Sequence, residues 1–99
     1  MKIVWSVLAR DDLVAIRRYI AQHHPAAARQ AAERILHSVE LLRERPQLGL
    51  STHRGDIRRL IVGNSVYSII YRLRDDALEI LEIFDGRQDA PRIDLDGDL

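Results

Sequence analysis

Residues 66–73 read VYSIIYRL, and the directions in which these side chains point decide the fold. In an extended strand alternate residues face opposite sides. Val66 and Ile70 fall on one side and Tyr67, Ile69, Tyr71 and Leu73 on the other, so both sides are apolar. Such a strand sits centrally in its sheet and is covered, at least in part, on both faces. Upstream, Gly63–Asn64–Ser65 is a turn that closes a β-hairpin onto DIRRLIV, residues 56–62. Downstream, Asp75 and Asp76 turn the chain into ALEILEIF, residues 77–84, the last strand. The three runs predict an antiparallel meander.

The first half of the chain is different in period. Residues 2–5, KIVW, read as a short strand, and Ser6 is a helix N-cap. Leu13, Ile16 and Ile20 recur at helical spacing, which predicts an amphipathic helix over residues 7–22, with Asp11 and Asp12 early enough to favour its dipole. Pro25 suits the first turn of a second helix, where its missing N–H costs little. Ala28, Ala32, Ile35, Val39 and Leu42 then form one apolar stripe that ends before Pro46. Residues 46–55, PQLGLSTHRG, have no period and read as a loop. The expected architecture is α+β: an N-terminal strand, an antiparallel two-helix hairpin, then the meander, with the helices on one face of the sheet. Nothing in the sequence covers the other face, which a partner could occupy.

Ninety-nine residues suit one domain with a single core, residues 1–99, and the acidic stretch 92–99 reads as a loosely ordered tail. A hydrophobic fraction of 46% with 30% charged residues excludes disordered and fibrous classes. With no cysteine there are no disulfides, thiolate nucleophiles or cysteine-bound zinc, which fits a cytoplasmic protein. Acids interrupt the N-terminal MKIVWSVLARDD, and the longest uncharged run, LIVGNSVYSIIY, is too short to span a membrane, so neither export nor a membrane partner is expected. The formal net charge of zero argues against binding nucleic acid mainly through phosphates.

Chemistry-bearing residues are sparse. His23, His24, His37 and His53 lack metal-site spacing and read as surface histidines; no metal or cofactor is expected. No serine sits in a glycine-rich elbow and there is no phosphate loop. Asp11–Asp12 and Asp75–Asp76 have ordinary places in a helix and a turn. The arginines are ambiguous. Arg58 or Arg59 on one strand and Arg72 on the next could form a cationic patch, or be solvated and paired with Glu79 and Glu82. EIFDGRQD, residues 82–89, ends the last strand, with Gly86 as the turning residue and Arg87 as a further candidate contact.

The run RRLIVGNSVYSIIYRLRDDALEILEIFDGRQDAP resembles the C-terminal half of the ParE/RelE toxin superfamily, and the ParE branch in particular. Arg58 stands where the branch has an arginine before the hairpin, Tyr67, Ile69 and Tyr71 match its Tyr-x-Ile-x-Tyr strand, and Gly86 and Asp89 match its His-Gly-x-x-Asp turn. Ala9, Asp12, Leu13, Ile16, Tyr19 and Ile20 match the family's first helix, and Pro46 with Gly49 its connecting Pro-x-x-Gly. Asp85 departs from the histidine of that pattern.

The resemblance implies a type II toxin that forms a hetero-oligomer with a small ParD-like antitoxin whose disordered part folds on binding. ParE-like members inhibit DNA gyrase without breaking a bond, whereas RelE-like members are ribosome-dependent endoribonucleases that need proton-transfer groups. After Tyr71 the chain has no tyrosine, histidine or lysine, and Phe84 and Asp85 stand where the ribonucleases place such a residue. Arginine is too weak an acid to serve. The resemblance therefore implies a gyrase inhibitor with no catalytic residue and DNA met only through antitoxin or gyrase; Arg58, Arg72 and Arg87 are the candidate target contacts. RNA cleavage and a non-toxic binding module are the alternatives, the latter favoured by Asp85.

Overall fold

The computed structural model describes residues 1–95. The elements run β1 (Lys2–Trp5), α1 (Val7–Ala21), α2 (Pro25–Glu44), β2 (Leu50–Ser51), β3 (Ile57–Ile61), β4 (Tyr67–Arg74) and β5 (Ala77–Asp85). The five strands form one sheet in the order β1-β5-β4-β3-β2. β3, β4 and β5 are the expected antiparallel meander, while β1 joins the edge parallel to β5, so the sheet is mixed. The helical hairpin is the crossover that a parallel neighbour requires. Leu50–Ser51, inside the stretch read as loop, pairs with Arg58 and Arg59 as a two-residue edge strand.

β4 is the centre. Tyr67 through Tyr71 are all buried, five consecutive residues that touch protein on both faces. On the helix side, Tyr67, Ile69 and Tyr71 join Leu78, Ile80 and Ile83 of β5 and Ala9, Ile35, Val39 and Leu42 of the helices. The stripe predicted for α2 is the buried set observed. The β4–β5 turn places Asp75 (φ 52°) and Asp76 (φ 61°) in the left-handed region, as a two-residue hairpin turn of matching twist demands.

The β4–β5 ladder slips between Ile70 and Tyr71: Tyr71 pairs with Ile80 and Ile70 with Glu82, which leaves Leu81 as an extra residue. Ser6 stabilises this bulge. Its hydroxyl donates to the Leu81 carbonyl at 2.9 Å and accepts from the Ala9 N–H at 2.9 Å, and its own N–H donates to Ile80. One residue thus caps α1 and ties it to β5. Asp11 and Asp12 fall beyond the first turn of α1, and Asp12 serves the sheet instead of the dipole, accepting the Ile83 N–H at 3.0 Å. His24, read as a plain surface histidine, caps α2 through Nδ1, which accepts from the Ala27 N–H.

The second face of the sheet is partly covered by the chain itself. Ile57, Ile70 and Phe84 form a second apolar cluster, against which Leu81, Ile93 and Leu95 pack. Arg92 and Ile93, at the start of the stretch expected to be loosely ordered, bond to Glu82, a carboxylate only 1% exposed. Glu82 accepts from the backbone N–H groups of Arg92 and Ile93 and from Arg92 Nε at 3.1 Å. Arg92 Nη2 also reaches Asp12 on α1. A buried carboxylate demands such partners. The expectation for residues 96–99 lies outside the described residues.

The loop from Pro46 to Gly49 is fixed by Tyr71. Its buried hydroxyl donates to the Pro46 carbonyl at 2.7 Å and accepts from the Gly49 N–H at 2.9 Å. Gly49 can only be glycine here, since a Cβ would lie 2.6 Å from that hydroxyl oxygen.

Two substitutions test this packing. Tyr71→Phe leaves the Pro46 carbonyl and Gly49 N–H without their partner and lowers stability by about 1–3 kcal/mol in urea unfolding, with an unchanged m-value; an unshifted midpoint contradicts the account. Arg92→Ala removes the counter-charge of Glu82 but leaves two backbone donors, and Arg92 is half-exposed, so the expected loss is about 1–2 kcal/mol. That corresponds to a fall in Tm of roughly 5–10 °C.

Candidate functional site

The three candidate arginines lie in three different surroundings. Arg58, beside Tyr71 in the ladder, faces the helix side and donates from Nη1 to the Gly49 carbonyl at 2.8 Å. It therefore secures the same loop that Tyr71 holds. Arg72 faces the opposite side, donates from Nε to Glu79 Oε1 at 2.5 Å, and lies 3.7 Å from Asp56. This is the cross-strand pairing weighed from sequence. Arg59 shares that face, bonded to Ser68 Oγ at 3.2 Å and stacked over the Phe84 ring at 5.2 Å. Strand alternation thus separates Arg58 from Arg72, and neither shares a patch with Arg87.

Arg87 folds back on Asp85. Its backbone N–H and Nε both donate to Asp85 Oδ1, at 2.9 and 3.0 Å, and Nη2 donates to Oδ2 at 2.7 Å. The bidentate fork holds the Asp85 carboxyl below the usual carboxylate range and raises Arg87 further from neutrality. Asp85 is ionised at neutral pH, and the fork directs the guanidinium of a side chain that is 58% exposed. Gly86, between them, is not in the left-handed region. Its N–H donates to the Val66 carbonyl at 2.7 Å, and a Cβ here would lie 3.0 Å from that oxygen, so any larger residue crowds the turn.

Tyr67 is the residue that sequence reasoning missed. It pairs with Asp85 in the ladder, and together with Tyr19 and Arg87 the two line a groove of about 390 Å³ between α1 and the end of β5. Burial, then the nearby Asp85 charge, pushes the Tyr67 phenol above its ordinary value, so it remains protonated at neutral pH. It can donate a hydrogen bond but is no base. Counting from the Asp75–Asp76 turn would set Tyr67 against Phe84; the bulge at Leu81 moves the partner to Asp85 and puts Phe84 on the other face. The arrangement can orient a cation, accept a hydrogen bond at Asp85 and donate one from Tyr67.

A family model described as "ParE toxin of type II toxin-antitoxin system, parDE" matches residues 3–90. The chain is 37% identical over 83 residues to "Toxin RelE2" of Caulobacter vibrioides, covering 83% of this chain and 91% of the relative. It is 32% identical over 92 residues to "Putative toxin Y4kP" of Sinorhizobium fredii, covering 93% and 95% of the two chains. Among solved structures, the chromosomal ParDE TA system from P. aeruginosa superposes with a TM-score of 0.76 at 24% identity, over 86% of this chain and 95% of that one, a likeness of fold. With a family model over residues 3–90 and relatives above 30% identity along most of their length, the chain belongs to the ParE toxin family of type II toxin–antitoxin systems, within the ParE/RelE superfamily.

Proposed function

We propose that the chain inhibits DNA gyrase, trapping it on cleaved DNA without itself breaking a bond, and that a cognate ParD-like antitoxin holds it inactive in the cytoplasm. The Asp85–Arg87 fork carries this reading. At the position where the resemblance puts the proton-transfer group of the ribonucleases, this chain has an ionised carboxylate already bonded to its own arginine. A carboxylate held ionised by its own arginine has no proton to give, and a guanidinium moves none at neutral pH. A carboxylate that fixes the direction of an exposed guanidinium suits recognition: the free edge of Arg87 can take an acidic or carbonyl group of a protein target. Arg87 is the direct contact in this reading. Arg58 acts by shaping the Pro46–Gly49 loop, and Arg72 lies on the second face of the sheet, where only its remaining N–H groups face a partner. DNA is met only through gyrase or the antitoxin complex.

A second reading, ribosome-dependent RNA cleavage, is favoured by two observations: Tyr67, a protonated phenol, lines the same groove as Asp85 and Arg87, and a relative bears the name RelE2. Induced expression without antitoxin separates the readings. Filamentation with a DNA-damage response is the expected outcome; immediate arrest of translation would favour RNA cleavage, and normal growth a non-toxic module. Arg87→Ala is expected to lower toxicity at least tenfold in viable counts, the scale of one lost charge-assisted contact of about 1.5 kcal/mol or more, with an unchanged Tm. Full toxicity of that variant would remove Arg87 from the target surface.

A further inference from the structure

The second face of the sheet holds a guanidinium that no carboxylate answers. Arg59, in β3, is half-buried, lies over the Phe84 ring at 5.2 Å and donates from Nε to Ser68 Oγ at 3.2 Å. Phe84 and Ser68 are buried and pair with each other in the β4–β5 ladder, so Arg59 rests on the packed interior of the sheet. Among the described residues it has no ion pair, whereas Arg72 on the same face is bonded to Glu79, and Arg92 to Glu82 and Asp12. With Nε occupied, Nη1 and Nη2 are its free donors. A cation taken partly out of water is costly unless something compensates it, and here only an aromatic face and one hydroxyl do. Leu50, its cross-strand neighbour in β2, and Ile61, two residues further along β3, share its face and are 72% and 62% exposed. Ile93 and Leu95, the chain's own cover, pack instead against Ile57, Ile70 and Phe84.

We infer that Arg59 is a second target contact: its Nη edge takes a carboxylate of the protein target, and Leu50 and Ile61 pack against aliphatic side chains beside that carboxylate. The inference rests on the reading that the chain binds gyrase. Charge and polarity select the occupant. Phe84 and Ser68 already orient the guanidinium, so an incoming anion meets a preorganised fork and little side-chain freedom is lost on binding. The exposed aliphatic pair on its flanks needs an apolar group in the same ligand, which an acidic protein segment supplies and a phosphate backbone does not. An arginine backed by an aromatic ring and surrounded by apolar side chains has the composition of an interface hot spot. Phe84 and Asp85 are consecutive, so Arg59 and Arg87 stand at the same end of β5 on opposite faces. A target segment that straddles this end meets both.

Surface plasmon resonance of the antitoxin-free chain on immobilised gyrase is the test, comparing wild type with Arg59→Ala, Leu50→Glu and Leu50→Gln. Arg59→Ala is expected to weaken binding at least about tenfold, the scale of one lost charge-assisted contact. Leu50→Glu sets a carboxylate opposite Arg59 in the ladder, where it occupies the fork from within the chain, and is also expected to weaken binding at least about tenfold. Leu50 is exposed, so this variant keeps its Tm. The uncharged Leu50→Gln loses only the apolar contact and should bind at least about threefold more tightly than Leu50→Glu. A loss below about threefold in both Arg59→Ala and Leu50→Glu overturns the inference, as does equal binding by the two Leu50 variants. If Arg59→Ala fails to fold, the Leu50 pair decides alone. A single-stranded RNA of about 20 bases that binds wild type more tightly than gyrase does, and loses that affinity in Arg59→Ala, overturns the inference in favour of a phosphate ligand. Failure of the wild-type chain to bind gyrase would instead overturn the reading beneath it.

Discussion

The extra residue in β5, Leu81, is the constraint on which the rest of this molecule depends. Before it, Leu78 and Ile80 point toward the helices; after it, Ile83 and Asp85 do, while Glu82 and Phe84 turn to the opposite face. Without the slip, Phe84 would lie beside Tyr67, and Asp85 would face away from α1. A bulge leaves a carbonyl outside the ladder, and Ser6 takes it with the hydroxyl that also caps α1. The start of the helical hairpin and the register of the last strand are thereby fixed by one side chain.

Both faces of the sheet follow from that register. On the helix side, Asp85 arrives next to Tyr67 and orients Arg87. On the other side, Glu82 becomes a buried carboxylate whose demand for donors draws Arg92 and Ile93 beneath the sheet, and Phe84 gives Arg59 an aromatic face to lie on. Arg92 closes the arrangement by reaching Asp12 on α1. The second face, which the sequence leaves without a covering element, is thus partly occupied by the chain's own residues 93 and 95.

Period and turn chemistry made the helices, the meander and the helix-side core legible in the sequence. Both flanks of VYSIIYRL are apolar because β4 is buried on both sides, and the α2 stripe is apolar because it faces β4 and its neighbours. What was not legible depends on a residue or a carbonyl that pattern does not mark. Nothing in ALEILEIF distinguishes Leu81 from its neighbours, so Tyr67 could not be set beside Asp85. The short strand Leu50–Ser51 exists because Tyr71 and Arg58 hold the loop before it, through backbone atoms of residues 46–49. Arg58 and Arg72 were legible as candidates, but their assignment to opposite faces required the register. Arg87 was placed in the right turn, whereas its fork on Asp85 needed the observed bend at Gly86.

Function in this account rests on a fixed cation in place of a proton donor. Asp85 is ionised and bonded to Arg87, and in the proposed reading the end of β5 holds a shape and a charge for a protein target. Purified protein, freed of antitoxin, incubated with gyrase, ATP and supercoiled plasmid, and in parallel with a translating extract, tests this most directly. The account predicts accumulation of linear plasmid covalently joined to gyrase and intact mRNA. Cleaved mRNA in the extract, with gyrase unaffected, would contradict it.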